Sequence, residues 1–163
     1  MVYSLITILI FTLGFQLQTD TYKSYIKTYY FVFFGLFLFS AFRYEVGCDW
    51  LSYENMFEAA SVIDLSILIT KREPLFWILQ KLTIYMNLPY PVINIISSAL
   101  FFAGVHVLAK RQPNPLAFLV IIFPILIINM PMSAIRQAAA IGMICFAILA
   151  IIDKRPLKFL VWV

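Results

Sequence analysis

Residues 43–73 read RYEVGCDWLSYENMFEAASVIDLSILITKRE, a polar insert in an otherwise apolar chain. The insert holds six of the chain's eight acidic residues and begins Arg43-x-x-x-Gly47-x-Asp49-x-x-x-Tyr53. Charge beside a bilayer is costly, so such a concentration marks either a solvated loop or a functional surface. The sequence on both sides is built for lipid. Of 163 residues, 63% are hydrophobic and 12% charged, with a mean hydropathy of +0.94, whereas a soluble domain carries about 25% charged residues. These values predict an all-α, polytopic transmembrane protein.

Working outward from the insert, five apolar stretches are candidates for the span of about 20 residues that crosses a hydrocarbon core. They cover residues 2–17, 28–42, 92–109, 116–130 and 134–152. Tyr22, Tyr25, Tyr29 and Tyr30 form a prospective interfacial belt. A sixth stretch, 74–88 (PLFWILQKLTIYMNL), is short and contains Gln80 and Lys81. Basic residues follow the first, third and fifth spans: Lys23 and Lys27, then Lys110 and Arg111, then Lys154, Arg155 and Lys158. If 74–88 crosses, the last two clusters fall outside, against the positive-inside bias. If it is re-entrant or interfacial, every basic cluster lands inside and the 43–73 insert faces outward. The second arrangement is the expected one. It puts Arg43, Gly47, Asp49, Tyr53, Glu73, Arg136 and Gln137 on a single side.

Residues 1–163 read as one transmembrane domain. The N-terminus lacks a basic n-region and a small-residue cleavage site, so the first apolar stretch is expected to be retained. The closing LKFLVWV begins a new apolar segment without an end, and the chain is expected to be the N-terminal part of a longer protein.

Other function classes are poorly supported. The net charge of +4 sits at segment ends instead of in a patch, which argues against a nucleic-acid partner. Cys48 and Cys145 form neither a metal nor a disulfide pattern. No nucleophile-His-Asp set, phosphate loop or dinucleotide loop is present. No metal or cofactor is expected. His106, near the end of its span, reads as a helix-packing histidine.

Each polar candidate has an ordinary reading beside a functional one. Arg43 ends the second span, where arginine snorkels to lipid phosphate or forks onto an anion. Asp49 is a natural N-cap for an amphipathic helix, with Gly47 supplying a permissive backbone before it, or a general base. On that helix Tyr53, Met56, Phe57 and Ala60 share one face. Glu73-Pro74 suits a helix start, and Glu73 could also transfer a proton. Arg136 is different. With Ser133 as the expected N-cap, it adds positive charge to the positive end of a helix dipole, which makes a site for a ligand anion or, equally, for a lipid phosphate. The small residues Ala138, Ala139 and Ala140 then leave room for a neighbour.

The ordered set Arg43-x-x-x-Gly47-x-Asp49-x-x-x-Tyr53, Glu73-Pro74-Leu75-Phe76 and Arg136-Gln137 resembles the EpsG-type family of Wzy-like polysaccharide polymerases. This chain departs from the family in carrying Leu75 where glycine usually stands, and it lacks the family's later histidine-containing motif. The resemblance implies a multi-pass protein of the bacterial inner membrane, joining undecaprenyl-diphosphate-linked oligosaccharide repeat units into surface polysaccharide. It further implies Arg136 and Arg43 at the departing diphosphate, Asp49 or Glu73 as base or sugar ligand, and Gln137 and Tyr53 at sugar hydroxyls. Partners would be the lipid-linked oligosaccharide, the bilayer and other polysaccharide assembly proteins. A transporter or flippase for the same glycans, or a non-catalytic assembly subunit, are the alternatives.

Overall fold

The computed structural model describes residues 2–16, 22–64, 67, 70 and 73–162. Among these residues all regular structure is helical, as the sequence predicts. The elements are α1 (Val2–Gln16), α2 (Tyr22–Ala41), α3 (Trp50–Val62), α4 (Pro74–Tyr85), α5 (Pro91–Ala109), α6 (Pro115–Ile122), α7 (Ile135–Ile152) and α8 (Pro156–Trp162).

Proline opens α4, α5 and α6, because the first helical N–H has no intrahelical acceptor and its loss costs nothing. Asn114 caps α6, its side-chain oxygen accepting the Ala117 N–H at 2.8 Å. Helix α6 then runs into a π turn, Phe123–Ile127. Pro124 explains the change: it has no N–H and its ring crowds the preceding turn. The Ile128 N–H closes it on the Phe123 carbonyl five residues back at 3.1 Å, and the four-residue pattern returns with Met130 on Leu126 at 2.9 Å. The expected unbroken stretch 116–130 is therefore two unlike pieces.

Helices α5 and α7 are long and apolar enough to cross a membrane. They make the most extensive helix pair among the described residues. Gly104 and Gly142 lie backbone to backbone, and a Cβ on Gly104 would overlap the Gly142 carbonyl. Such close approach is what small residues give membrane helices. The apolar parts Tyr25–Ala41 of the 20-residue α2 and Pro115–Ile127 are shorter, and α1 has 15 residues. Two of the five expected spans are thus helices both long and apolar enough to cross. Of the closing LKFLVWV, residues 157–162 lie in α8, which folds back so that Trp162 stacks on Phe146 with ring centroids 4.6 Å apart; Val163 lies outside the described residues.

The main core joins Ile10 of α1, Val32 and Leu36 of α2, Phe101, Phe102 and Val105 of α5, Leu116 and Leu119 of α6, and Ala138 of α7. His106 packs as expected, stacked on Tyr29 and sharing a 2.8 Å hydrogen bond between Nδ1 and the tyrosine hydroxyl. Side-chain contacts then sort the molecule into two ends. At one, the Tyr25 hydroxyl donates to Asn114 and accepts from the Leu116 N–H, and Arg111 pairs with Asp153 at 3.0 Å. At the other, Arg43 reaches Met132 and Arg136 reaches Glu73. Helices α5 and α7 therefore run parallel, with α2 and α6 antiparallel to them.

Helix α4 does not follow that pattern. Phe76, near its start, and Tyr90, just before α5, belong to one buried cluster with Trp50, Tyr53, Ile93 and Ile135. Both flanks of α4 thus meet the Arg136 end. It also packs on α3, Trp77 lying against Ala60 with Ile84 beside them, and on α5. Helix α3 buries the face the sequence indicates: Tyr53 and Ala60 are buried, with Met56 and Phe57 half-buried.

Candidate functional site

Arg136 is the second residue of α7. The helix is preceded by Ala134 at the N-cap, not by Ser133 as the sequence suggests, and no side chain caps it. The Ser133 N–H is turned back onto the Met130 carbonyl at 3.2 Å, closing the turn one residue early. The position of Arg136 in the first turn is unchanged by this shift. Its guanidinium adds positive charge to uncapped N–H groups, which is the electrostatics of an anion site.

Three elements converge on that guanidinium. Nη1 donates to Glu73 Oε2 at 2.6 Å, and Nε donates to the Tyr53 hydroxyl at 3.4 Å. The cation also sits 5.3 Å from the Tyr53 ring centroid and 5.9 Å from that of Phe76. These aromatic faces hold it by cation–π attraction. The ion pair is far from dry, with side-chain exposures of 37% for Arg136 and 51% for Glu73. A solvated pair of this kind adds about 0–1 kcal/mol to stability. Its value lies in where it puts a charge.

Glu73 is held in a strained backbone conformation, φ 65° and ψ 56°. A side chain in the left-handed region costs about 1–2 kcal/mol, and a residue before proline is normally extended. Glu73 occupies the N-cap position of α4 yet makes no side-chain cap bond. Its carboxylate is directed across the site to Arg136 instead.

The pair stands at the mouth of a cavity of about 500 Å³, within the size range of ligand pockets, roughly 300–1,000 Å³. The interior is apolar: Phe76 and Leu79 from α4, Ile96 and Leu100 from α5, Ala140 and Met143 from α7. Glu73, Arg136 and Gln137 supply the polar groups. The small side chains of Ala139 and Ala140 leave this space open beside α7.

Arg43 and Gly47 form a neighbouring clip. Arg43 is buried, 5% exposed, and its Nη1 donates to the Val46 carbonyl at 2.6 Å and to the Met132 carbonyl. Gly47 has φ +108°, and a Cβ there would overlap the Met132 carbonyl oxygen. The clip thus fixes the loop after α2 against the turn that launches α7 and Arg136. Asp49 occupies the N-cap position of α3 without a side-chain cap bond. It is half-buried and does not line the cavity.

Tyr53, Glu73, Arg136 and Gln137 are therefore brought together, while Arg43, Gly47 and Asp49 lie beside them. The cavity walls Leu79, Ile96, Leu100 and Met143 were not distinguishable from ordinary apolar sequence. Trp50 and Tyr90 were also missed; their rings meet edge to face at 5.0 Å beneath the site. Burial pushes the Tyr90 phenol up, with nearby Arg43 pulling it partly back, so it stays neutral. Among the described residues no three His, Cys, Asp or Glu side chains cluster as a metal site requires.

A sequence profile described as the EpsG family matches residues 26–163. No curated protein and no solved structure matches the chain.

Proposed function

The chain belongs to the EpsG family, and we propose that it is a multi-pass inner-membrane polymerase of bacterial surface polysaccharide, acting on undecaprenyl-diphosphate-linked repeat units. Family membership carries the link to polysaccharide biosynthesis and, with the two apolar helices, to the membrane. The observation that carries the substrate is Arg136 at the rim of an apolar cavity. A lipid-linked diphosphate needs this pairing, a cation for the phosphate beside an apolar space for the isoprenoid.

In the proposed reaction an acceptor hydroxyl attacks the anomeric carbon of the donor glycan. The bond from that carbon to the diphosphate oxygen breaks, and undecaprenyl diphosphate leaves with the electron pair. Arg136 stabilises the charge developing on the leaving group, a fork matched to phosphate oxygens. Diphosphate drawing on Arg136 releases Glu73, which then takes the proton of the attacking hydroxyl. Glu73 suits this role better than Asp49, because it lines the cavity. Tyr53 and Gln137 contact sugar hydroxyls, and Arg43 acts through the Met132 turn.

The basic residues Lys110, Arg111 and Lys154 share the opposite end of the bundle, which supports a cytoplasmic placement for that end and an outward-facing site. Both flanks of α4 meeting the Arg136 end supports a re-entrant or interfacial helix at 74–88. A second reading, a flippase, draws on the fully buried Gln80, Asn94 and Ser97, polar groups of the kind that line a path.

The test is Arg136→Ala in cells that depend on the chain for surface polysaccharide. With protein level in the membrane unchanged, polymer is expected to be lost from the electrophoretic length profile. An unaltered profile would refute the assignment.

A further inference from the structure

The end of the molecule opposite Arg136 carries a second cavity of about 340 Å³. Its walls come from α2 and from the turn between α5 and α6: Tyr25, Tyr29, Tyr30, Lys110, Gln112 and Pro115. The geometry points to a phosphate-binding site here, taking a phosphate-bearing head group with Lys110 as its cation.

Charge bookkeeping singles out Lys110. Its neighbour Arg111 is neutralised by Asp153, both carboxylate oxygens lying within 3.1 Å of Nη2. Lys110 has no carboxylate partner among the described residues; its ammonium lies instead 5.9 Å from the Tyr30 ring centroid. A cation so placed keeps its hydrogen-bonding capacity for an anion.

The walls are already held in place. The Tyr25 hydroxyl is tied to Asn114 and to the Leu116 N–H at 2.8 Å, and Tyr29 is tied to His106 at 2.8 Å. The Tyr25 and Tyr29 walls are thus preordered, which lowers the cost of ordering the site around a head group. The Gln112 amide and Tyr30 hydroxyl supply uncharged donors to phosphate oxygens.

Two sources share this chemistry, a membrane phospholipid and soluble phosphate. The full chain is reconstituted in phosphatidylcholine nanodiscs with a minor fraction of spin-labelled phosphatidylglycerol. Wild type, Lys110→Gln and Lys154→Gln are compared, the last removing a basic residue at the same end but outside the cavity. Lys110→Gln is expected to weaken the labelled lipid's association about tenfold, the loss of one charge-assisted hydrogen bond, and Lys154→Gln to weaken it clearly less. Retention of that difference in excess inorganic phosphate assigns a lipid head group. Its replacement by Lys110-dependent binding of inorganic phosphate assigns the soluble source. Equal association in all three proteins, or equal loss in both variants, would overturn the site.

Discussion

Arg136 donates a 2.6 Å hydrogen bond to Glu73, which lies 63 residues earlier in the chain. The two residues start different helices, α7 and α4, at the same end of the bundle. Aromatic rings from Tyr53 and Phe76 hold the guanidinium at the rim of an apolar cavity. An exposed pair of this kind adds little stability, yet it is reached through a strained backbone at Glu73. Strain at a site that contributes little to folding is the pattern of a functional constraint.

That strain can be measured. Glu73→Gly and Glu73→Ala both remove the carboxylate, but only glycine enters the left-handed region freely. Glu73→Gly is expected to be the more stable by about 1 kcal/mol in detergent unfolding. Both variants are expected to lose polymer. Equal stability would mean that Glu73 is not held at positive φ.

The two arginines separate by the kind of defect they produce. Arg43→Ala strands the buried Met132 carbonyl, at about 1–3 kcal/mol. Gly47→Ala forces a side chain onto the Met132 carbonyl at φ +108°, with strain of about 1–3 kcal/mol. Both are expected to lower membrane abundance and unfolding temperature. Arg136→Ala is expected to leave both near wild type.

Filling the apolar cavity tests its use. Ala140 lines it and is exposed, so Ala140→Phe places a ring in open space instead of in the core. Abundance is expected to hold while polymer falls on the order of tenfold or more, as misplaced substrates do. Normal polymer from Ala140→Phe would remove the cavity from the substrate path.

The placement of α4 is open to thiol labelling in a Cys48→Ser background, Cys145 being buried. Met86, just after α4, is 59% exposed. Met86→Cys is expected to react with a membrane-impermeant reagent added outside intact cells, and Lys110→Cys only after permeabilisation. Labelling of Met86→Cys solely after permeabilisation would mean that α4 crosses.

Much of this architecture was legible in the chain. Apolar runs located most of the helices, Pro74 marked the start of α4, and charge placement grouped Tyr53, Glu73 and Arg136 at one end. The face of α3 followed from the spacing of Tyr53, Met56, Phe57 and Ala60. What stayed hidden depends on contacts between distant segments. A guanidinium reads the same whether it serves a ligand or backbone carbonyls, so the burial of Arg43 against Met132 could not be foreseen. The cavity could not be foreseen either, because Leu79, Ile96 and Leu100 resemble any core residues until α4 is seen to stand off α7. The Ala134 cap replaced Ser133 because the local turn, set by the Met130 carbonyl, overrode a side-chain preference.

The most direct measurement is the lipid-linked oligosaccharide pool extracted from cells carrying Arg136→Ala at wild-type membrane level. Single repeat units are expected to accumulate on the lipid carrier at the outer face, with polymer absent. Accumulation confined to the cytoplasmic face, or a pool indistinguishable from wild type, would contradict the account.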